Sequence, residues 1–430
     1  MDIARKNRSF KPDDCVTLMH ELFQVAVKAA DPRVCLPPYL PEPPEGKVTV
    51  IGAGKASAAM AAAVEQAWPT ADIQGCVVTR YDYALPTQKI EIIQAAHPVP
   101  DEAGEQACQK IIQLAENAGE NDLVLALISG GGSALLSAPA PCLSSQEKRS
   151  INKALLKSGA TIDEMNTVRK HLSLVKGGRL GLACYPAGLV TLVVSDVPGD
   201  DPAVVASGPT LPDPTTGQEA LRIVETYGIE ISEAIHDWLS DPANETPKPG
   251  SDRFKGHQTH IIAKAQDSLT AAANFAQEKG ITPVFWGDDL EGEARELGKH
   301  HIRKALQESK RDDRPLVFLS GGETTVTVKG QGRGGRNAEY LLGAFEECMR
   351  SGTNNMYVMA CDTDGIDGSE DNAGAYFTPQ TLEKAQVPRI NPQDYLANND
   401  AYSFFERTGT LIKTGPTFTN VNDFRAILIT

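Results

Sequence analysis

Short aliphatic runs alternate along this chain with longer stretches whose apolar positions recur every three or four residues. Lys47–Ile51 (KVTVI), Cys76–Thr79, Leu123–Ile128 (LVLALI) and Leu189–Val194 (LVTLVV) are nearly continuous apolar runs. That is the pattern of strands covered on both faces. The Ala-rich stretch ending at Trp68 and the segment Asp101–Asn117 have helical spacing. Ser144-x-x-Glu147 and Thr161-x-x-Glu164 are capping boxes that open two further helices, the first closed by Gly159. Met165, Val168, Leu172 and Val175 fall at helical spacing and read as core, with Gly177-Gly178 as the stop. Strands and helices in this rhythm predict a mostly parallel α/β sheet.

The rhythm breaks at Ser240–Gly256, which is polar and rich in Pro, Asp and Gly. It resumes with His260–Ala263, Thr282–Trp286, Leu316–Leu319 and Tyr357–Ala360. The length, 430 residues, also exceeds one ordinary domain. Two α/β domains are expected, residues 1–250 and residues 251–430. Leu127-Ile-Ser-Gly-Gly131 echoes Phe318-Leu-Ser-Gly-Gly322. Turn chemistry, which selects Ser and Gly repeatedly, is favoured over duplication.

Charge narrows the partners. There are 41 basic and 56 acidic side chains, a formal charge of −15. An acidic body with 6% aromatic residues is a poor general binder of nucleic acid or anionic membrane. The eight cysteines are scattered, without a C-x-x-C pair, and His257, His260, His300 and His301 lie in polar stretches and are expected at the surface. Neither group suggests zinc. The N-terminus has no apolar signal core, and no apolar run approaches about 20 residues, so a reduced, cytoplasmic protein is expected.

The candidate chemistry gathers where strands end, which is where open α/β sheets bind ligands. Gly52-Ala-Gly54-Lys55-Ala-Ser57 opens a helix after a strand. Its third glycine position is Ser57, which makes it a weak dinucleotide signal, and it is not a P-loop. Lys55 there is either a solvated turn lysine or a ligand for phosphate or carboxylate. Ser129-Gly130-Gly131-Gly132-Ser133 follows a buried strand, and three successive glycines suit backbone wrapping of phosphate oxygens. Asp196, Asp200 and Asp201 lie within six residues of another strand end, as a polar turn or as a base or Mg²⁺ ligand. Arg333 and Arg336-Asn337 sit among glycines, where guanidinium groups can meet anionic oxygens. Asp362 and Asp364 lie in a turn that fails the EF-hand pattern but suits Mg²⁺ or a substrate hydroxyl. Glycine loops, cations and carboxylates together point to phosphoryl transfer.

In combination these segments resemble a known family. Ile51-Gly-Ala-Gly-Lys-Ala56, His97-Pro-Val-Pro-Asp101, Ser129–Leu135, Met165-Asn-Thr-Val-Arg-Lys-His171 with Lys176-Gly-Gly-Arg179, and Ser195-Asp-Val-Pro-Gly-Asp200 are similar to the N-terminal domain of type-2 glycerate kinases. Ser320–Glu323, Gly334–Asn337, Asp362–Gly365, Thr414–Thr417 and Asn420–Asp423 resemble their MOFRL domain. One departure is Lys264-Ala265-Gln266, where the family more usually carries an Asn-rich turn. The resemblance implies a Rossmann-like N-terminal domain, a smaller MOFRL-type domain and an active site in the cleft between them. It implies ATP- and Mg²⁺-dependent phosphorylation of D-glycerate to 2-phosphoglycerate. On that reading Lys55, Asp196 and Arg336 are catalytic, and Ser129, Gly130, Gly131, Gly132, Ser133, Arg333 and Asn337 bind substrate or phosphate. Asp362 and Asp364 would hold metal, and a homodimer stays open as the assembly. The alternative is a hydroxypyruvate reductase using NAD(P)H. The missing third glycine and the absence of an evident His–acid pair in the sequence count against it.

Overall fold

The structure, a computed structural model, describes residues 11–310, 314–386 and 390–430. The chain forms two compact units, one of residues 31–263 and one of residues 1–30 with 264–430.

The first unit is built on six strands: β1 (Val48–Ala53), β2 (Ile73–Arg80), β3 (Ile90–Ala95), β4 (Leu123–Ser129), β5 (Gly188–Val194) and β6 (Gln258–Ala263). Their order is β3-β2-β1-β4-β5-β6, and every neighbouring pair is parallel. The continuous apolar runs have this cause: β1 and β4 are buried along their whole length. Successive strands step outward in one direction from β1 and in the other from β4. The sheet therefore has its switch point between β1 and β4, where helices leave on opposite faces and a crevice opens at the carboxyl ends. Register brings those ends level. Ala53 pairs with Ile128 and Val78, and Ser129 pairs with Val194.

Both capping boxes form. Ser144 caps the Ser145–Ser158 helix and Thr161 caps the Ile162–His171 helix. The second helix ends at His171, short of the expected Gly177-Gly178 stop, although Leu172 and Val175 are buried as read. Gly177 and Gly178 instead carry positive φ in the loop beyond.

Near that helix the polar stretch at residue 245 is tied down rather than loose. Glu245 lies 2.7 Å from His171 Nε2 and 3.0 Å from Lys248 Nζ, and accepts from the N–H of Gly217. Burial alone would raise its pKa. Lys248, the Gly217 N–H and His171 outweigh burial and lower it to about 2. A depressed carboxylate contributes stability above its unfolded value near 4.5 and loses it as pH falls through about 2. Glu245→Gln should therefore cost about 1 kcal/mol at pH 7 after solvent screening. Urea unfolding should show that deficit shrinking below pH 4.5, and a deficit independent of pH would refute the assignment.

The second unit holds β7 (Thr282–Gly287), β8 (Leu316–Ser320), β9 (Met356–Asp362), β10 (Gly374–Phe377), β11 (Leu411–Ile412) and β12 (Asp423–Ile429), in order β11-β10-β9-β12-β8-β7. Only β7 and β8 pair in parallel; β12 runs antiparallel to both β8 and β9. The expectation of mostly parallel strands thus fails here. One face packs against the Ala294–Ser309 and Arg336–Ser351 helices, with Phe318, Tyr340 and Phe345 in the core. The other face is covered by the Pro12–Ala29 and Ala265–Glu278 helices.

Two boundaries differ from the division at residue 250. β6 was read as the start of the second domain but completes the first sheet beside β5. The N-terminal helix belongs with the C-terminal unit, where Leu18, Leu22, Phe23 and Ala26 join one core with Leu269, Ala272 and Phe424. Amphipathic spacing reveals an apolar face and not the surface that covers it. His301, expected at the surface, is 3% exposed, and its Nδ1 lies 2.8 Å from the Tyr340 hydroxyl. The repeated Ser-Gly-Gly segments follow β4 and β8, strands of differently connected sheets, which supports turn chemistry as their origin.

Candidate active site

The carboxyl ends of β1 and β4 are bound to one another. The Lys55 N–H donates to the Gly130 carbonyl at 2.9 Å, and the Ala56 N–H donates to Ser129 Oγ at 3.0 Å. Ser57, the residue at the third glycine position, is fully buried, and its hydroxyl donates to the Gly54 and Val78 carbonyls at 2.8 and 2.9 Å. That hydroxyl fills the turn where a dinucleotide site keeps a bare glycine. Gly54, at φ 135°, has no room for a side chain, because a Cβ there would lie 2.1 Å from Ser129 Oγ. Gly131 has φ 80°, and a Cβ on it would reach within 3.0 Å of His97 Nε2 and 3.4 Å of Lys55 Cγ. The glycines therefore bring Lys55 and His97 against bare backbone. Ser129 serves the turn itself, whereas Ser133 opens onto the adjoining cavity.

Cations that the sequence reading left out surround that opening. Lys176 Nζ donates to the Ser133 carbonyl and hydroxyl, both at 2.6 Å, and the same hydroxyl lies 2.9 Å from Ser207 Oγ. Lys148 Nζ donates to Ser137 Oγ at 2.5 Å, and Arg169 Nε to Asn152 Oδ1 at 3.2 Å. Burial, followed by repulsion from Lys148 and Arg169, lowers the Lys176 pKa to about 7. Burial likewise lowers the pKa of Lys148 and of Arg169. Three cations held in partly desolvated positions form a seat for an anion.

A loop after β5 completes this edge. The Ser195 N–H bonds the Ala263 carbonyl at 2.9 Å, and its buried hydroxyl finds no partner among the described residues. Asp196 follows, half-buried. Asp200, Ala206 and Ser207 are non-glycine residues with positive φ, near 53°, 53° and 62°. Backbone strain of this kind gathers at functional sites. Asp201 is spent locally, accepting the Ala203 N–H at 2.8 Å.

The other expected residues lie in the C-terminal unit. Arg336 is held by three carboxylates: Asp423 and Asp362 at 2.8 Å and Glu323 at 3.0 Å. Burial alone would lower its pKa, but the attraction of Asp423, Asp362 and Glu323 raises it. Asn337 donates to Asp423 Oδ1 at 2.8 Å. Asp367, of the same acidic turn as Asp362 and Asp364, accepts the Asn337 and Ala338 N–H groups at 2.9 and 2.8 Å and so caps the Arg336–Ser351 helix. Burial raises its pKa to about 6 against those two bonds. Asp362 Oδ1 accepts the Asp364 N–H, and Asp364 Oδ1 accepts the Ile366 N–H. The expected metal pair is thus already engaged within its own turn and with Arg336. Arg333 joins a different group, stacked 4.4 Å over Tyr402 and paired with Glu370 and Glu406.

Comparison with known proteins agrees with this architecture. Residues 18–240 match a family described as "Domain of unknown function (DUF4147)", and residues 316–423 match the MOFRL family. A D-glycerate 2-kinase of Thermotoga maritima is 39% identical over 96% of this chain and 98% of its own. The chain belongs to the type-2 glycerate kinase family. A crystal structure of glycerate kinase from Thermotoga maritima matches with TM-score 0.87 and 39% identity, over 97% of this chain and all of that one. A protein of Agrobacterium vitis named "Putative hydroxypyruvate reductase" is 49% identical over 96% of this chain and 94% of its own. As a member of the glycerate kinase family the chain is an enzyme of the kinase class, built on an α/β fold with two sheets. Among its described residues no helix is long and apolar enough to cross a membrane.

Proposed function

We propose that this enzyme transfers the γ-phosphoryl group of ATP to D-glycerate, giving 2-phosphoglycerate. The observation that carries the reading is the anion seat at the β1/β4 switch point, where Lys55 and Lys176 flank the Gly130–Ser133 turn. Phosphoryl transfer demands charge neutralisation and positioning more than a covalent nucleophile. Backbone N–H groups of the glycine turn and the two lysines would bind phosphate oxygens. Asp196, at the end of the neighbouring strand, would take the proton of the attacking hydroxyl.

Mg²⁺ commonly takes only one or two protein carboxylates together with substrate phosphates. Among the described residues no group of three His, Cys, Asp or Glu side chains could hold a metal ion, which suits an ion arriving with the nucleotide. It would supply neutralisation of the β- and γ-phosphates.

The reductase reading is favoured by the name of the 49% identical Agrobacterium vitis protein and by the strand order shared with dinucleotide-binding sheets. The structure also contains a His–acid pair, His171 with Glu245, that the sequence did not reveal. His171 Nδ1, however, is bound to the Thr167 carbonyl at 2.9 Å, and neither residue lines the cavity beside the glycine turn.

A coupled assay separates the two readings. Purified enzyme should release ADP from ATP only when D-glycerate and Mg²⁺ are both present. NADPH oxidation with hydroxypyruvate and no ADP would refute the kinase. Lys55→Ala should lower kcat/KM at least about tenfold.

A further inference from the structure

Beside the glycine turn lies a cavity of about 570 Å³, lined entirely by residues of the 31–263 unit. One end is formed by Gly131 and Ser133. The body is aliphatic, with Leu143, Ile151, Leu155, Val168 and Leu172 from the two capped helices and their flanks. Among the described residues five cationic side chains line it, Lys148, Arg149, Lys153, Arg169 and Lys176, and no carboxylate does.

This composition defines a ligand. Five cations without an acid, in a chain of net charge −15, select a polyanion. The aliphatic body selects something larger and less polar attached to it. Glycerate fails on both counts: its hydroxyls gain nothing from leucine and isoleucine, and a three-carbon acid is far smaller than the cavity. Drug-sized ligands fill roughly 300–1,000 Å³.

We infer that this cavity holds the base and ribose of a purine nucleoside triphosphate, whose phosphates run out over Lys148, Arg169 and Lys176 to the Gly131–Ser133 turn. The inference rests on the kinase reading and adds to it the nucleotide's place and direction. Aliphatic side chains sandwich the flat faces of the base, and the cations order the phosphate chain toward Lys55. Ser133 and Ser137 hold two of the ammonium groups in position before the ligand arrives.

Calorimetric titration of the full-length enzyme tests this with two probes, Mg-ATP and Mg-tripolyphosphate. Wild type should bind ATP at least about tenfold more tightly, the difference being the contribution of the nucleoside. Leu155→Trp fills the cavity from a buried position, and Leu156→Trp does so from a residue that lines it but is 68% exposed, which protects the test against a failure to fold. Each should weaken ATP at least about tenfold while leaving tripolyphosphate within about twofold of wild type. Equal affinity of wild type for the two probes would overturn the inference. So would unchanged ATP binding in both variants, or a parallel loss of both probes. Cavity-dependent ATP binding without ADP formation from D-glycerate would sink the kinase reading and leave the site standing. A wild type that binds no ATP would end both.

Discussion

Arg336→Ala should destabilise the C-terminal unit by about 3 kcal/mol, the lower part of the range for breaking a buried ion pair. Asp423 and Asp362 are almost fully buried, and both rest on this guanidinium at 2.8 Å. Its removal takes the guanidinium from Asp362 and leaves Asp423 to Arg425 and the Asn337 amide. Asp423 is the more sensitive of the two. Burial would raise its pKa, and Arg336 and Arg425, with the Asn337 hydrogen bond, hold it below the ordinary aspartate value. Arg336→Lys keeps the charge but not the fork that meets three carboxylates at once, so an intermediate loss is expected. Urea unfolding monitored by near-UV circular dichroism measures the loss. A deficit under about 0.5 kcal/mol would show that the cluster relaxes without its arginine. Reduced activity of Arg336→Ala should accordingly be interpreted only beside its stability.

Lys176→Met should behave in the opposite way, losing activity without losing stability. A fall in kcat/KM of about a hundredfold is expected, some 2.7 kcal/mol of transition-state stabilisation. The side chain faces Lys148, Arg169 and the Cys108 thiol, and burial with the first two lowers its pKa to about 7. A lysine depressed in the folded state is a burden at neutral pH, because the unfolded chain holds the proton more tightly; its removal should leave Tm unchanged or slightly higher. Only the ammonium form attracts phosphate. Wild-type kcat/KM should therefore fall as pH rises through about 7, whereas Lys176→Arg should remain flat across that range. A wild-type profile with no inflection near 7 would remove Lys176 from the site.

The sequence displayed some of these features and concealed others for identifiable reasons. Leu123–Ile128 and Leu189–Val194 were legible as strands because a central parallel strand is apolar on both faces. The turns at Gly54 and Gly131 were legible because only glycine tolerates their backbone and their neighbours. Ile90–Ala95 was not, since an edge strand is half polar. Asp423–Ile429 is buried throughout and central to the second sheet, but the charged Asp423 and Arg425 interrupt its apolar run. Arg169 and Lys176 sit within a segment whose apolar spacing marks core and whose motif resembles the family's, but a cation between core positions carries no mark of the cavity it faces. Arg336 was recognised, but its three carboxylate partners lie 13, 26 and 87 residues away. Pairings at such separations follow from topology alone.

The N-terminal helix has a consequence for the order in which the protein is made. Its apolar side is covered by residues such as Leu269, Met359 and Phe424, which lie far along the chain from it. Everything from Asp31 to Ala263 emerges from the ribosome and can fold while that helix still lacks its cover. The unit that begins first finishes last. A nascent chain halted once residue 263 has cleared the ribosome would carry one folded unit and one exposed amphipathic helix, a natural handle for a chaperone.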